Sequence, residues 1–237
     1  MEFTFGTAPS LVNTIIERVG EKKEAWMVFD MDETLARWKK LKGGDVFSLR
    51  PTVIPFLQKI LDADIKIHFA IYSNTHSKER AETIASTIGV AFEGDENFHL
   101  SFIFYNHFKG NPAEAGLRRL NVNTNASRIG NAKRAVYDMN KTVKSIKHGY
   151  AETGVPLAEE DVRTHLFFFD DVMYPSIKNV IGQNYIQMRP FLGEEGPVSG
   201  NGETKRGTKR SNREEITSAS KKPKARKTRQ RKNRRAL

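Results

Sequence analysis

Three short apolar runs organise this chain, and each gives way abruptly to polar chemistry. Ala25 to Phe29, Lys66 to Tyr72 and Leu166 to Phe169 are continuous rather than alternating in their hydrophobicity. That is the pattern of strands buried on both faces in a parallel sheet. A fourth short run, Tyr185 to Met188, fits a further strand. Between them lie segments of helical character: Pro51 to Ala63; Ser77 to Ile88, stopped by Gly89; and Asn131 to His148. Strands alternating with helices predict an α/β fold around a central parallel sheet. The stretch Phe92 to Asn131, with Phe102-Ile-Phe-Tyr105 followed by polar, Asn-rich sequence, reads as a small insertion that shapes substrate access.

The strand ends carry the candidate chemistry. In an extended segment residues i and i+2 point the same way, so Asp30 and Asp32 can face one crevice beyond the carboxyl end of the first strand. There one carboxylate can attack while the other moves protons. Two like charges so close call for a cation, and oxygen ligands favour a hard divalent ion such as Mg²⁺. The second run ends in Ser73-Asn74, a hydroxyl and an amide able to hydrogen-bond a phosphoryl oxygen. The third ends in Asp170-Asp171, so buried strand again yields at once to carboxylates.

Asp30-Met-Asp-Glu-Thr-Leu35, then a strand ending in Ser73, then a lysine, then a strand ending in an acidic pair resembles the motif order of the haloacid-dehalogenase-like (HAD) phosphohydrolases. Within them, Glu33 and Leu49-Arg-Pro-Thr-Val-Ile-Pro-Phe-Leu57 resemble the RNA polymerase II carboxy-terminal-domain phosphatase, or NLI-interacting-factor-like, branch. The resemblance covers about Trp26 to Phe191. It implies a three-layer Rossmannoid fold and a Mg²⁺-dependent phosphomonoesterase acting on phosphoserine or phosphothreonine in a phosphoprotein. It also implies roles. Asp30 would be the nucleophile that forms an aspartyl-phosphate and a metal ligand; Asp32 would be the general acid, with its carbonyl on the metal. Thr34 and Ser73 would hydrogen-bond the phosphoryl group, and Asp170 and Asp171 would hold the metal directly or through water.

The motif lysine has three candidates. Lys141, counted back from Gly154-Val155-Pro156, falls nearest the first turn of a helix; Lys144 sits one turn later; Lys133 fits if the segment Lys144 to Arg163 is an insertion. Val172-Met173 departs from the branch, which often has Ser-Pro after the acidic pair.

Composition narrows the classes. The absence of cysteine excludes disulfides, thiolate zinc sites and a cysteine nucleophile, and six scattered histidines show no zinc-ligand spacing. No apolar stretch approaches membrane-spanning length and the amino terminus lacks a secretory pattern, so an intracellular protein without membrane partners is expected. Charge divides the chain. Residues 203–237 hold 15 of the 39 Lys+Arg and 3 of the 28 Asp+Glu, a net of +12, leaving residues 1–202 at −1. So few apolar residues cannot bury enough surface to fold, and a disordered basic tail is expected after a linker at 193–202 and a phosphatase domain at 1–192. Lys209-Arg210, a ten-residue spacer and Lys221-Lys-Pro-Lys-Ala-Arg-Lys227 resemble a bipartite nuclear-localisation signal. Nuclear location, an import receptor and sequence-blind nucleic-acid binding follow as expectations, since the tail has no aromatic residue to stack on bases. Two rival functions remain open: a nucleic-acid or nucleotide phosphatase tethered by the tail, and a non-catalytic nucleic-acid-binding protein on the same fold.

Overall fold

The computed structural model describes residue 5 and residues 8–42, 44–75, 77–106, 115–119 and 140–193. The chain divides into two units, 1–198 and 199–237; the second, with the basic tail and its expected disorder, lies outside the described residues. In chain order the elements are α1 (Ala8–Val19), β1 (Glu24–Phe29), β2 (Ala36–Leu41), β3 (Gly44–Leu49), α2 (Val53–Leu61), β4 (Lys66–Tyr72), α3 (Lys78–Ala91), β5 (Phe98–Asn106), β6 (Ala115–Arg119), α4 (Val143–Glu152), β7 (Leu166–Asp170), α5 (Pro175–Ile181) and β8 (Tyr185–Gln187).

Six strands form one sheet in the order β6-β5-β4-β1-β7-β8. Five run parallel, and β6 closes the β5 edge antiparallel. Alternate residues of each central strand enter opposite layers. Met27, Phe29, Phe69 and Ile71 pack with Leu11 and Ile15 of α1, Phe56 and Leu57 of α2 and Ile84 and Ile88 of α3. Trp26, Val28, Ala70 and Tyr72 pack with Ile146 and Tyr150 of α4 and Ile177 and Ile181 of α5. Helices on both faces explain why the strands read as unbroken apolar runs, since neither face meets water. The fold is thus three-layered α/β, and β1 ends at Phe29, just before Asp30.

One boundary needs correction. Phe98–Asn106, assigned from sequence to the insertion at 92–131, is the parallel neighbour of β4, with Ile71 opposite Ile103 and Tyr72 opposite Phe104. Its residues Phe102 to Tyr105 are all buried, because Phe102 and Phe104 face α4 while Ile103 and Tyr105 face the other layer. An aromatic run of this kind carries the same two-sided signal as β1 and was core, not access loop. The helix expected from Asn131 is described only as α4, where the Thr142 hydroxyl accepts from the Ser145 N–H at 3.3 Å; residues 131–139 lie outside the described residues. Neither α1 nor the β2–β3 hairpin was anticipated, although Leu11, Val12, Ile15, Ile16 and Val19 have helical spacing.

Candidate active site

The carboxyl ends of β1, β4 and β7 lie side by side, because Phe29 pairs with both Ile71 and Phe169. Asp30 follows directly and is fixed by its own N–H, which donates to the Phe169 carbonyl at 2.8 Å. Beyond it the chain turns sharply. The N–H groups of Leu35 and Ala36 both donate to the Met31 carbonyl at 3.0 Å, and Glu33 takes a left-handed backbone with φ 61°. Strain of this kind in a non-glycine residue gathers at functional loops, where surrounding contacts hold it.

Asp30, Asp170 and Asp171 each bring a carboxylate oxygen within 4.8 Å of one another. Of the two candidate lysines among the described residues, Lys141 is the one that reaches them. Its ammonium donates to Asp30 Oδ1 at 2.6 Å and to Asp170 Oδ2 at 2.5 Å, and its side chain is 1% exposed. Lys144 is exposed on α4, and Lys133 lies outside the described residues. Lys141 precedes the Thr142 cap with φ 48°, a second left-handed residue at the site. Its charge is enclosed by aromatic rings, with Nζ 4.7 Å from the Tyr174 centroid and 5.7 Å from that of Phe168.

Electrostatics follow from an excess of negative charge. Burial opposes the charge on Lys141, yet Asp30 and Asp170 together hold its pKa well above the ordinary lysine value. Asp170 is nonetheless pushed upward, by burial and then by Asp30, with Lys141 only partly offsetting them. One ammonium shared by two carboxylates cannot satisfy both, and Asp171 adds a third whose pKa burial and Asp30 also raise. An all-oxygen, mostly buried, charge-rich donor set of this type suits Mg²⁺. Asp170 is already engaged on both oxygens, by Lys141 and by the Val172 N–H at 2.8 Å. Asp32 is half-buried and titrates at about 6, raised chiefly by burial and next by Asp30, with the Arg80 guanidinium pulling the other way.

Thr34 is held against the acidic pair. Its side chain is fully buried, and its hydroxyl donates to Asp171 Oδ1 at 3.3 Å while accepting from the Asp171 N–H at 3.1 Å. The hydroxyl thereby ties the turn after β1 to the acidic pair. Ser73, just past the end of β4, is buried, with its N–H on the Phe104 carbonyl at 3.0 Å and its hydroxyl accepting from the Thr75 N–H at 3.1 Å. The Asn74 amide donates to the Tyr174 hydroxyl at 3.1 Å, which links β4's end to the wall over Lys141.

Sequence reasoning passed over Tyr174, Tyr185 and Arg80. The Tyr185 hydroxyl donates to the Val172 carbonyl at 2.5 Å and accepts from the Tyr174 N–H at 3.1 Å, so it fixes the loop after the acidic pair. Arg80, in the first turn of α3, lies 4.9 Å over the Trp38 ring of β2. The one local signal was an aromatic residue three places past Asp171, just before Pro175.

Fold and site together define an open α/β protein with a carboxylate–lysine centre at its strand ends. No family model and no curated protein matches the chain. Among solved structures it aligns with fission yeast RNA polymerase II CTD phosphatase Fcp1 bound to beryllium fluoride, at 14% identity and a TM-score of 0.35, over 77% of this chain and 46% of that one. The chain thus spans less than half the length of that enzyme's chain, and so distant a likeness carries no argument; the site's own geometry must do so.

Proposed function

We propose that the protein is a Mg²⁺-dependent phosphomonoesterase of the HAD type, working through Asp30, with phosphoserine or phosphothreonine in a protein as its favoured substrate. The observation that carries this reading is the contact of a nearly buried Asp30 carboxylate with Lys141, beside Asp170 and Asp171. Asp30 attacks phosphorus, forming the aspartyl-phosphate and breaking the bond to the leaving oxygen. Asp32, kept partly protonated near neutrality, gives that oxygen its proton and then takes one from the water that hydrolyses the intermediate. Lys141 offsets charge gathering on the phosphoryl oxygens, and Ser73 is placed to donate to one of them. Asp30, the Asp32 carbonyl and the Asp170–Asp171 pair, directly or through water, would hold Mg²⁺; the ion would supply charge for the phosphoryl group. Preference for a phosphoprotein is supported by Glu33 and Arg50-Pro51, the markers of the transcription-linked branch.

The tail favours a second reading on the same chemistry. A net of +12 over residues 203–237 would tether a terminally phosphorylated nucleic acid and raise its local concentration. We further propose that its two basic clusters engage an import receptor and direct the protein to the nucleus.

The test is phosphate release, with and without Mg²⁺, from a small aryl phosphate, a phosphoserine peptide and an end-phosphorylated oligonucleotide. Asp30→Asn should lose activity by about 10³-fold or more on whichever substrates the parent turns over. The ranking of peptide against oligonucleotide decides between the two readings. Folded parent that is silent on all three with Mg²⁺ present would sink both and leave the non-catalytic binding protein.

A further inference from the structure

Arg50 belongs to no strand or helix, yet its side chain is among the largest fully buried ones, at 1% exposed. One arm of its guanidinium donates to the Thr34 carbonyl at 3.1 Å and the other to the Arg189 carbonyl at 2.6 Å. The rings of Phe5 and Phe191 lie 5.4 and 5.5 Å from its central carbon. Its backbone adds to the hold: the Arg50 N–H donates to the Leu35 carbonyl at 2.8 Å, and the Phe191 N–H donates to that of Glu33 at 2.6 Å. Three successive carbonyls of the nucleophile loop, at 33, 34 and 35, are therefore each pinned from outside the loop.

That loop is the one whose left-handed Glu33 must be held in place, and whose Thr34 hydroxyl both gives a hydrogen bond to Asp171 and receives one from it. Burying a guanidinium is costly, and mere packing between two phenylalanines would be met more cheaply by an apolar side chain. What an apolar residue lacks is the planar fork that can reach two carbonyls on different segments at once, a geometry lysine cannot reproduce.

We propose that Arg50 is a positioning residue that sets the divalent-metal site, by fixing Thr34 so that its hydroxyl keeps Asp171 in ligating position. The proposal rests on the reading of Asp30 and Asp171 as ligands. It extends the site to the two ends of the folded unit, since Phe5 and Phe191 close over the same guanidinium.

The test uses the full chain with Mg²⁺ titrated by calorimetry and Mn²⁺ bound as a spin probe, alongside thermal melting and steady-state kinetics. In Arg50→Lys, metal affinity should weaken by about tenfold or more, the usual consequence of losing a group that orients a ligand. The Mg²⁺ concentration for half-activation should move with it, while KM for an aryl phosphate at saturating Mg²⁺ stays near the parent's. Thr34→Val should lose metal affinity similarly, and the double variant should lose little more, because both act through one contact chain. Phe191→Leu, which spares the guanidinium but thins its cover, should give a smaller loss and serves if Arg50→Lys fails to fold. A lowered melting temperature with parent-like metal affinity in the folded variants would overturn the proposal alone. A parent that binds neither Mg²⁺ nor Mn²⁺ would overturn it together with the metal site.

Discussion

Lys141 is bound to two carboxylates and walled by two aromatic rings, so its removal should be felt in both stability and rate. Breaking a buried ion pair from one side leaves uncompensated charge, and Lys141→Met should cost about 3–5 kcal/mol in chemical denaturation of the metal-free protein. Adding Asp170→Asn should recover much of that loss without restoring turnover, because the phosphoryl oxygens still lack their cation. Asp32 gives a pH signature. In the proposed mechanism its acid form protonates the leaving group, and with a pKa raised to about 6 that form is depleted as pH rises. Single-turnover phosphorylation of Asp30 by a phosphoserine peptide should therefore decline about tenfold per pH unit well above 6. A nitrophenyl ester, whose leaving group needs no proton, should lack that limb; a shared limb would remove Asp32 from the acid role. Asp30 and Asp32 could be named from sequence because strand and carboxylate are contiguous. The Thr34 role could not be, since its partner lies 137 positions away.

Elements place these residues, and α4 packs tightly on β5 at Gly149. A Cβ on Gly149 would lie 2.7–2.9 Å from the Phe102 ring, closer than real side chains approach. Gly149→Ala should destabilise by about 1–3 kcal/mol, read from the denaturation midpoint at unchanged slope, as overpacking in a tight contact does. A shift of α4 would also carry the Thr142 cap and Lys141 with it, so turnover should drop beyond what the unfolded fraction explains. The strands β1, β4 and β7 were legible because burial on both faces writes a continuous apolar run. The same physics wrote β5, but the polar sequence following Asn106 drew the run into a loop assignment. The β2–β3 hairpin mixes Lys39, Lys40 and exposed Leu41 and Val46 with half-buried Trp38 and Phe47. With so little of it in the core, its pattern has no strong period to read.

Across the whole molecule, chemistry and charge are segregated. The catalytic reading needs only residues up to Phe191, whereas the basic excess resides in residues 203–237. Deleting 203–237 should leave hydrolysis of a small aryl phosphate within about twofold of the parent. It should weaken oligonucleotide binding steeply at low salt and flatten its salt dependence, measured as the slope of log affinity against log salt. Equal loss on both substrates would mean that the tail supports the fold rather than the substrate. By itself the sequence determined the strand-borne carboxylates and the division of charge, because these depend on neighbours in the chain and on composition. Only the tertiary structure decided which lysine meets Asp30, that Thr34 holds Asp171, and that Arg50 pins the loop from beneath. Those contacts join segments more than a hundred positions apart or pass through backbone carbonyls, which every residue possesses and no side-chain pattern records.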